Sequence, residues 1–231
     1  MTRTRAQNVA PGPGDPQPGA PGWKTRDWNA WWTEEIARLE LARWEAKIRP
    51  MEAMMNRLGS LRLRGTRTIL LHANGVSQEP RALSYAGFDV VALDISSVAT
   101  RYAEGFPLPE SELRLFFQWD DIGQEGAFER AREEGGRHRF VCGDAFDSSV
   151  EPGPFDAIFS WRGFHGYSDA ELESLARALD RRLSPAGSID ISVQNAPRTC
   201  GFLIELFTEL GYAVNGGATT GRIAHIGIAS G

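Results

Sequence analysis

The sequence predicts an α/β fold built on a doubly wound, mostly parallel sheet, and three observations support that fold class. From Arg67 onward, short apolar segments alternate with segments of helical periodicity, the pattern expected of right-handed crossovers between parallel strands. Residues 90–93 are apolar without alternation, as in a strand covered on both faces. This strand ends at an acid, Asp94, at the edge where open α/β sheets bind their ligands.

Two segments precede the sheet. Residues 11–22 are mostly proline and glycine, so residues 1–22 are predicted to be a disordered tail. Residues 23–60 are predicted to be helical, because Trp28, Trp32 and the apolar residues that follow recur at helical spacing. A proline in the middle of this segment is expected to kink or divide the helix.

Residues 61–231 are predicted to form one domain. Strands are expected at 68–71, 89–93, 139–142, 155–160, 188–193, 212–215 and 223–229, and helices at 79–86, 97–104, 125–134, 169–183 and 198–210. Ser168 and Glu171 have the spacing of a capping box at the start of the fourth of these helices. Residues 184–187 have the composition of a turn, and residues 105–123 interrupt the alternation as an insertion.

Composition excludes several classes of function. The net charge is −5, with lysine only at Lys24 and Lys47, and no basic stripe typical of nucleic-acid binding occurs. Cys142 and Cys200 lie far apart without CxxC spacing, so neither a metal site nor a disulfide framework is predicted. No apolar run approaches the roughly 18 residues of a membrane span, and nothing resembles a signal peptide. The prediction is a cytoplasmic protein without nucleic-acid or membrane partners.

Asp94 has two interpretations. An acid at the end of a parallel strand can accept hydrogen bonds from the two hydroxyls of a ribose. Alternatively, Asp94 caps the helix that begins near Ser97. This segment alone does not decide between the two.

Five segments in the right order resemble the class I S-adenosylmethionine-dependent methyltransferases. They are residues 69–77 (first strand and glycine loop), 87–96 (second strand and ribose acid), 140–146 (adenine segment), 155–161 (fourth strand) and 179–187 (turn before the fifth strand). The resemblance implies a seven-stranded sheet with an antiparallel last strand, and S-adenosylmethionine as the cofactor. It also implies that the cofactor is held by His72, Ala73, Asn74, Gly75, Asp94, Ile95, Asp144, Ala145, Phe146 and Ser160.

The glycine loop departs from the family pattern. Leu71 stands where the family has an acid, and Ala73, Gly75 and Ser77 stand where it has three glycines. Glycine is used there because the backbone approaches the ligand closely and can need a positive φ. Alanine and serine are the smallest replacements. A leucine cannot serve the amino group of the methionine, so His72 or Asn74 is a candidate to replace the acid.

The segment after the fourth strand carries the candidates for catalysis. His165 is the predicted general base, because an unperturbed histidine has a pKa near 6.5; the alternative is a loop histidine bonded to backbone. Tyr167 is the second catalytic candidate. Arg162 is predicted either to anchor a substrate carboxylate or to pair with Asp156 or Asp169.

Aromatic residues are predicted to line the substrate pocket. Trp28 and Trp32 in the N-terminal segment and Trp161 after the fourth strand are the candidates. The resemblance implies that residues 23–60 are a lid, and residues 105–123 have the position of a second one. In the alternative interpretation, these aromatics pack on the sheet or in a homodimer interface.

The predicted function is methyl transfer to an oxygen or nitrogen of a small molecule. No Asn-Pro-Pro-aromatic sequence follows the fourth strand, which argues against methylation of adenine or of a glutamine amide. The alternative is a catalytically silent methyltransferase fold that acts as a binding or regulatory subunit, because its glycine loop is altered. A third possibility is the same fold with another nucleoside ligand, or with a protein or RNA acceptor.

Overall fold

The computed structural model describes residues 28–41, 61, 64–106, 135–161, 163–164, 167–194, 197–215, 219–220 and 223–230. The predicted tail at residues 1–22, the second half of the predicted helical segment and the predicted helix at 125–134 lie outside these ranges. So does nearly all of the predicted insertion.

Helices and strands alternate along the described chain. The helices are α1 (Trp28–Leu41), α2 (Glu79–Tyr85), α3 (Ser97–Gly105), α4 (Asp169–Asp180) and α5 (Pro197–Glu209). The strands are β1 (Thr68–His72), β2 (Asp89–Asp94), β3 (His138–Cys142), β4 (Phe155–Trp161), β5 (Leu183–Gln194), β6 (Tyr212–Asn215), β7 (Thr219–Thr220) and β8 (Ile223–Ser230).

The strands form one sheet in the order β3-β2-β1-β4-β5-β8-β6, with β7 paired to β8. The five strands from β3 to β5 are parallel, and β8 runs antiparallel to both β5 and β6. The prediction of an α/β fold with a mostly parallel sheet is confirmed. Among the described residues the sheet has eight strands rather than seven, because Thr219–Thr220 forms a short strand on β8.

Alternation along each strand divides the core into two clusters. Leu70 packs with Leu175 of α4 and Phe207 of α5 on one face of the sheet. Its neighbour Leu71 packs with Leu83 of α2 on the other face. Helices therefore cover both faces of the central strands, which explains why those strands are apolar without alternation.

Two local predictions differ in outcome. The capping box at the start of α4 is present, since Ser168 and Glu171 each bond the other's backbone. The predicted turn at residues 184–187 is instead part of β5, which begins at Leu183. The pairing of β4 with β5 shifts register there, so proline and glycine are accommodated by an irregularity inside the strand.

Candidate functional site

Asp94 is the last residue of β2, and its carboxylate joins two backbone segments. Oδ2 accepts a hydrogen bond from the N–H of Gly75 at 2.8 Å, and Oδ1 accepts one from the N–H of Ser96 at 2.8 Å. Asp94 is only 8% exposed, and burial raises the pKa of Asp94 despite these two hydrogen bonds. The N-cap of α3 is Ser96, whose hydroxyl accepts from the N–H of Ala99. Asp94 is therefore not the helix cap, and each carboxylate oxygen keeps a lone pair for a further donor.

The loop after β1 has the backbone conformation of a glycine loop. Ala73 has a φ of 55° and Gly75 a φ of 57°, a region that side chains adopt at a cost. Asn74 holds the turn, because its Nδ2 donates to the carbonyls of Gly75 and Ser77. Asn74 Oδ1 is buried and has no hydrogen-bond partner among the described residues. The loop thus combines a strained alanine with an unused polar atom.

The segment after β3 lies beside Asp94. The N–H of Gly143 donates to the carbonyl of Asp94 at 2.9 Å, and Asp144 Oδ1 accepts from the N–H of Phe146 at 2.9 Å. Ala145 is buried in the core, while Phe146 is half-buried. The structure therefore brings the two predicted acids to the ends of adjacent strands, as the sequence indicated.

Arg182 fixes the loop that continues from this segment. Its guanidinium donates to the backbone carbonyls of Asp147, Val150, Glu151 and Ala178, and the residue is 1% exposed. Burial lowers the pKa of Arg182. Sequence reasoning missed this arginine, because nothing in its local pattern distinguishes it from the adjacent, exposed Arg181.

His72 and Ser160 are joined at the ends of β1 and β4. His72 Nδ1 lies 2.9 Å from Ser160 Oγ, and the imidazole meets the ring of Phe164 edge-on at 6.1 Å. Burial, and then the positive charge of Arg182, lowers the pKa of His72 to about 4. His72 is consequently neutral at physiological pH and a weak base.

Tyr167 lies in the same region. Its ring packs against Phe146 with centroids 5.7 Å apart. Burial, followed by the charges of Asp144, Glu171 and Asp94, raises the pKa of Tyr167 to about 12. The phenol therefore stays protonated at neutral pH and is suited to donating a hydrogen bond rather than to removing a proton.

Helix α1 contacts the glycine loop and the start of α3. Trp32 lies so close to Gly75 that a Cβ added there would come within 2.4 Å of the indole. Asn29 Oδ1 accepts from the hydroxyl of Ser96 at 2.7 Å and from the N–H of Val98 at 3.4 Å. Trp28 is half-buried. Sequence reasoning found Trp28 and Trp32 but missed Asn29, which carries no pattern that distinguishes it from a solvent-facing polar residue.

Leu71 does not face the loop that follows it. It is 1% exposed and belongs to the core cluster on the α2 face. His72, the next residue, is directed to the opposite face because side chains alternate along a strand. Both candidates to replace the missing acid have a side-chain atom without a hydrogen-bond partner among the described residues. The atoms are Nε2 of His72 and Oδ1 of Asn74.

Several predicted residues cannot be placed. His165 and Arg162 lie outside the described residues, and of Trp161 only the backbone, in β4, is described. Asp156, one predicted partner of Arg162, lies at the opposite end of β4, where it binds Thr68 and Ser184. In the described part of the chain, no group of three or more acids, histidines or cysteines is placed to hold a metal ion. No helix within the described ranges is long and apolar enough to cross a membrane.

The same architecture occurs in solved methyltransferase structures. Magnesium protoporphyrin IX methyltransferase from Synechocystis PCC 6803 with bound SAH is 13% identical, with a TM-score of 0.58 over 88% of this chain and 96% of that one. The DhpI–SAH complex is 16% identical, with a TM-score of 0.54 over 87% and 94%. A TehB-like SAM-dependent methyltransferase from Corynebacterium glutamicum is 16% identical, with a TM-score of 0.51 over 88% and 98%.

No family model and no curated protein sequence matches the chain. At these identities the structural likeness establishes the fold alone. The chain has the fold of the class I S-adenosylmethionine-dependent methyltransferases, as its strand order and sequence resemblance indicate.

Proposed function

We propose that this chain is an S-adenosylmethionine-dependent methyltransferase that methylates an oxygen or nitrogen of a small molecule. The observation that carries the proposal is the Asp94–Gly75 contact, in which the acid at the end of β2 is bonded to the left-handed loop after β1. The carboxylate and the loop backbone thus lie at the carboxyl ends of adjacent parallel strands, where nucleotide ligands bind in such sheets.

The residues present fit the cofactor. Asp94 would hold the ribose hydroxyls, and Asp144 the exocyclic amine of the adenine. Ile95, Ala145 and Phe146 would flank the adenine ring. Asn74 has a buried carbonyl oxygen without a partner among the described residues, which suits a hydrogen-bond donor of the ligand. When bound, S-adenosylmethionine supplies an electrophilic methyl group.

The remaining site residues have proposed roles around the acceptor. Tyr167, whose pKa is raised by burial and then by the charges of acids that include Asp144 and Asp94, stays protonated and would donate a hydrogen bond that orients a bound molecule. His165 is proposed as the general base, and Arg162 and Trp161 as residues that contact the acceptor. His72 is excluded as the base by its low pKa, since a base of that strength is poorly matched to neutral pH.

Helix α1 is proposed to be a cover over this site. It touches Gly75 through Trp32 and the start of α3 through Asn29, on either side of Asp94. Since Asp94 is only 8% exposed beneath these segments, a ligand reaches its carboxylate after α1 has moved. Trp28 and Trp32 would then face the bound molecules as pocket walls.

Calorimetric titration with S-adenosylhomocysteine (SAH) tests the proposal. Wild type is expected to bind, and Asp94→Ala to bind at least roughly tenfold more weakly, because a charge-assisted hydrogen bond contributes about 1.5–3 kcal/mol. Asp89→Ala is the matched control, since Asp89 begins the same strand at the opposite end of the sheet. Absence of heat and of a thermal shift at millimolar SAH would contradict the donor assignment.

A catalytically silent methyltransferase fold remains the second candidate, because a buried leucine, Leu71, stands where the resembling family has an acid. It predicts a folded protein that binds SAH weakly or not at all and methylates no acceptor. The predicted cytoplasmic location and the homodimer stay predictions.

A further inference from the structure

The strand order of the sheet reverses between β1 and β4. From β1 the chain proceeds outward through β2 to β3, and then returns to the other side of β1 as β4 and β5. The crevice at such a reversal, outside the carboxyl ends of the strands, is where open α/β sheets bind ligands. His72 and Ser160 are the paired residues at the end of the β1–β4 ladder. They therefore form the floor of this crevice.

The floor is enclosed and rigid. His72 is 7% exposed and Ser160 is fully buried. Gly163 closes over both, because a Cβ added to it would lie 2.4 Å from Ser160 Oγ and 2.7 Å from His72 Nδ1. The edge-on contact with Phe164 restricts the imidazole from a further side. The ring is thus held in one orientation.

Hydrogen bonding determines which nitrogen of His72 carries the proton. Among the described residues, Ser160 Oγ has His72 Nδ1 as its only hydrogen-bond partner. If Nδ1 donated, the buried serine hydroxyl would lack an acceptor, at a cost of about 1–3 kcal/mol. If the hydroxyl donates to Nδ1, both groups are satisfied and the proton is on Nε2. The Nε2–H has no acceptor in the described part of the chain.

An N–H donor of this kind favours an anionic oxygen. Hydrogen bonds in which the acceptor is charged are shorter and roughly twice as strong as those between neutral groups. The positive charge of Arg182 acts on the same imidazole and adds to the attraction for an anion. At the neighbouring position, Leu71 lies in the core and cannot accept a hydrogen bond from the ammonium group of an amino acid. The floor of the crevice is therefore suited to the carboxylate of an amino acid rather than to its amine.

We propose that His72 binds the carboxylate of the amino-acid portion of the methyl donor through Nε2–H, and that Ser160 is the positioning residue that fixes this tautomer. The proposal rests on the proposed function and deepens it. It assigns the amino-acid end of the ligand to the junction of β1 and β4, while the nucleoside end goes to Asp94.

Two probes that differ only in the carboxylate test the proposal. SAH and its decarboxylated analogue are titrated by calorimetry into the full-length protein. Wild type is expected to bind SAH roughly tenfold more tightly than the analogue. His72→Phe, which keeps an aromatic ring, should bring the two affinities close together by weakening SAH alone. His72→Gln, whose amide places an N–H near the position of Nε2, should restore part of the preference.

Nuclear magnetic resonance of the ¹⁵N-labelled histidines gives a readout that does not depend on binding. The resonances of His72 are expected to show the Nε2–H tautomer in wild type and a mixture in Ser160→Ala. The same variant, which leaves the imidazole in place, should lose about threefold in SAH affinity with the analogue unaffected.

Two outcomes would overturn the proposal. One is an Nδ1–H tautomer in wild type, and the other is an unchanged preference for SAH in His72→Phe or, if that variant does not fold, in Ser160→Ala. Failure of the proposed function gives a different result, because wild type would then bind neither probe. The assignment of His72 to the carboxylate would then also be wrong.

Discussion

Two aspartates on nearby strands, Asp156 at the amino end of the sheet and Asp94 at its carboxyl end, are used in opposite ways. Asp156 accepts hydrogen bonds from the N–H groups of Arg67 and Thr68 and from the hydroxyls of Thr68 and Ser184. Burial alone would raise the pKa of Asp156, but these hydrogen bonds outweigh burial and lower the pKa. At Asp94 burial outweighs two hydrogen bonds and raises the pKa.

The difference separates a structural end of the sheet from the end where we propose the ligand site, which we call the functional end. At the amino end every oxygen of the acid is used to join β1, β4 and β5. At the carboxyl end each oxygen of Asp94 accepts one hydrogen bond from the described residues, and Ala73 is in a left-handed conformation. Asn74 Oδ1 is buried without a hydrogen-bond partner in the described part of the chain. Buried polar groups are normally bonded, so the unused oxygen of Asn74 supports the proposal of a ligand site at this edge.

The largest expected effect on stability comes from introducing a further acid at the carboxyl end of the sheet, at Leu71. Leu71→Asp restores the acid of the resembling family, but the side chain enters the apolar cluster on the α2 face. We expect a loss of at least roughly 4 kcal/mol of unfolding free energy, since a buried carboxylate without partners is strongly unfavourable. Urea denaturation measures it, with Leu71→Met as the control that conserves volume. A folded Leu71→Asp protein with tighter SAH binding would show that Leu71 faces the ligand.

Removing the acid at the structural end should cost stability and spare binding. Asp156→Asn is expected to lose about 1–3 kcal/mol at pH 7, a range that allows for the partial exposure of the side chain, with SAH affinity unchanged. Because the pKa of Asp156 is lowered on folding, its contribution is present above its unfolded pKa and is lost as the pH falls through its folded pKa. The stability difference between variant and wild type should therefore shrink in acid. A drop in SAH affinity instead would break the distinction between the two ends.

The pH dependence of stability should be reversed for Asp94→Asn. The stability of wild type relative to this variant should increase, not decrease, as the pH falls. The pKa of Asp94 is raised on folding, so its ionised form disfavours the folded state, and wild type gains from this group as the pH falls through its folded pKa.

Helix α1 contacts the carboxyl end of the sheet through Trp32 and Asn29, and loosening this proposed cover should change the kinetics of binding. Trp32→Ala removes the indole from Gly75, and we expect SAH to associate up to roughly tenfold faster because the cover opens more readily. Stopped-flow mixing measures the rate. Glu34→Ala is the control, since Glu34 is exposed on the same helix. Slower association in Trp32→Ala would mean that the indole guides the ligand and does not obstruct it.

The smallest expected effect concerns the strained loop. Ala73→Gly removes a Cβ from a residue with a φ of 55° and should raise the unfolding free energy by up to about 1 kcal/mol, the strain relieved being partly offset by the entropy of glycine. Ala170→Gly, in the first turn of α4, should lose up to about 1 kcal/mol instead. Thermal unfolding compares the two. Destabilisation by both substitutions would show that Ala73 is not strained.

Local patterns in the sequence were sufficient for most of the described elements between Thr68 and Asn215. Strands covered on both faces, glycine at helix ends and the capping box of Ser168 are each written in a few neighbouring residues, because backbone hydrogen bonding and steric preference act over that range. Local patterns also identified Asp94 and Asp144 as acids that follow strands, and residues 71–77 as an altered glycine loop. It failed at residues 184–187, where pairing with β4 keeps proline and glycine within a strand.

The sequence by itself determined the order of the elements, the fold class and the acids at the strand ends. Only the tertiary structure decided that Leu71 lies in the core while His72 lies on the opposite face and is hydrogen-bonded to Ser160. It also decided that Arg182 binds the loop after β3 and that Trp32 lies against Gly75. Each of these contacts joins residues at least 20 positions apart or depends on which face of the sheet is covered. Burial and hydrogen-bond partners at such distances arise from packing, and packing has no local signature in a single sequence.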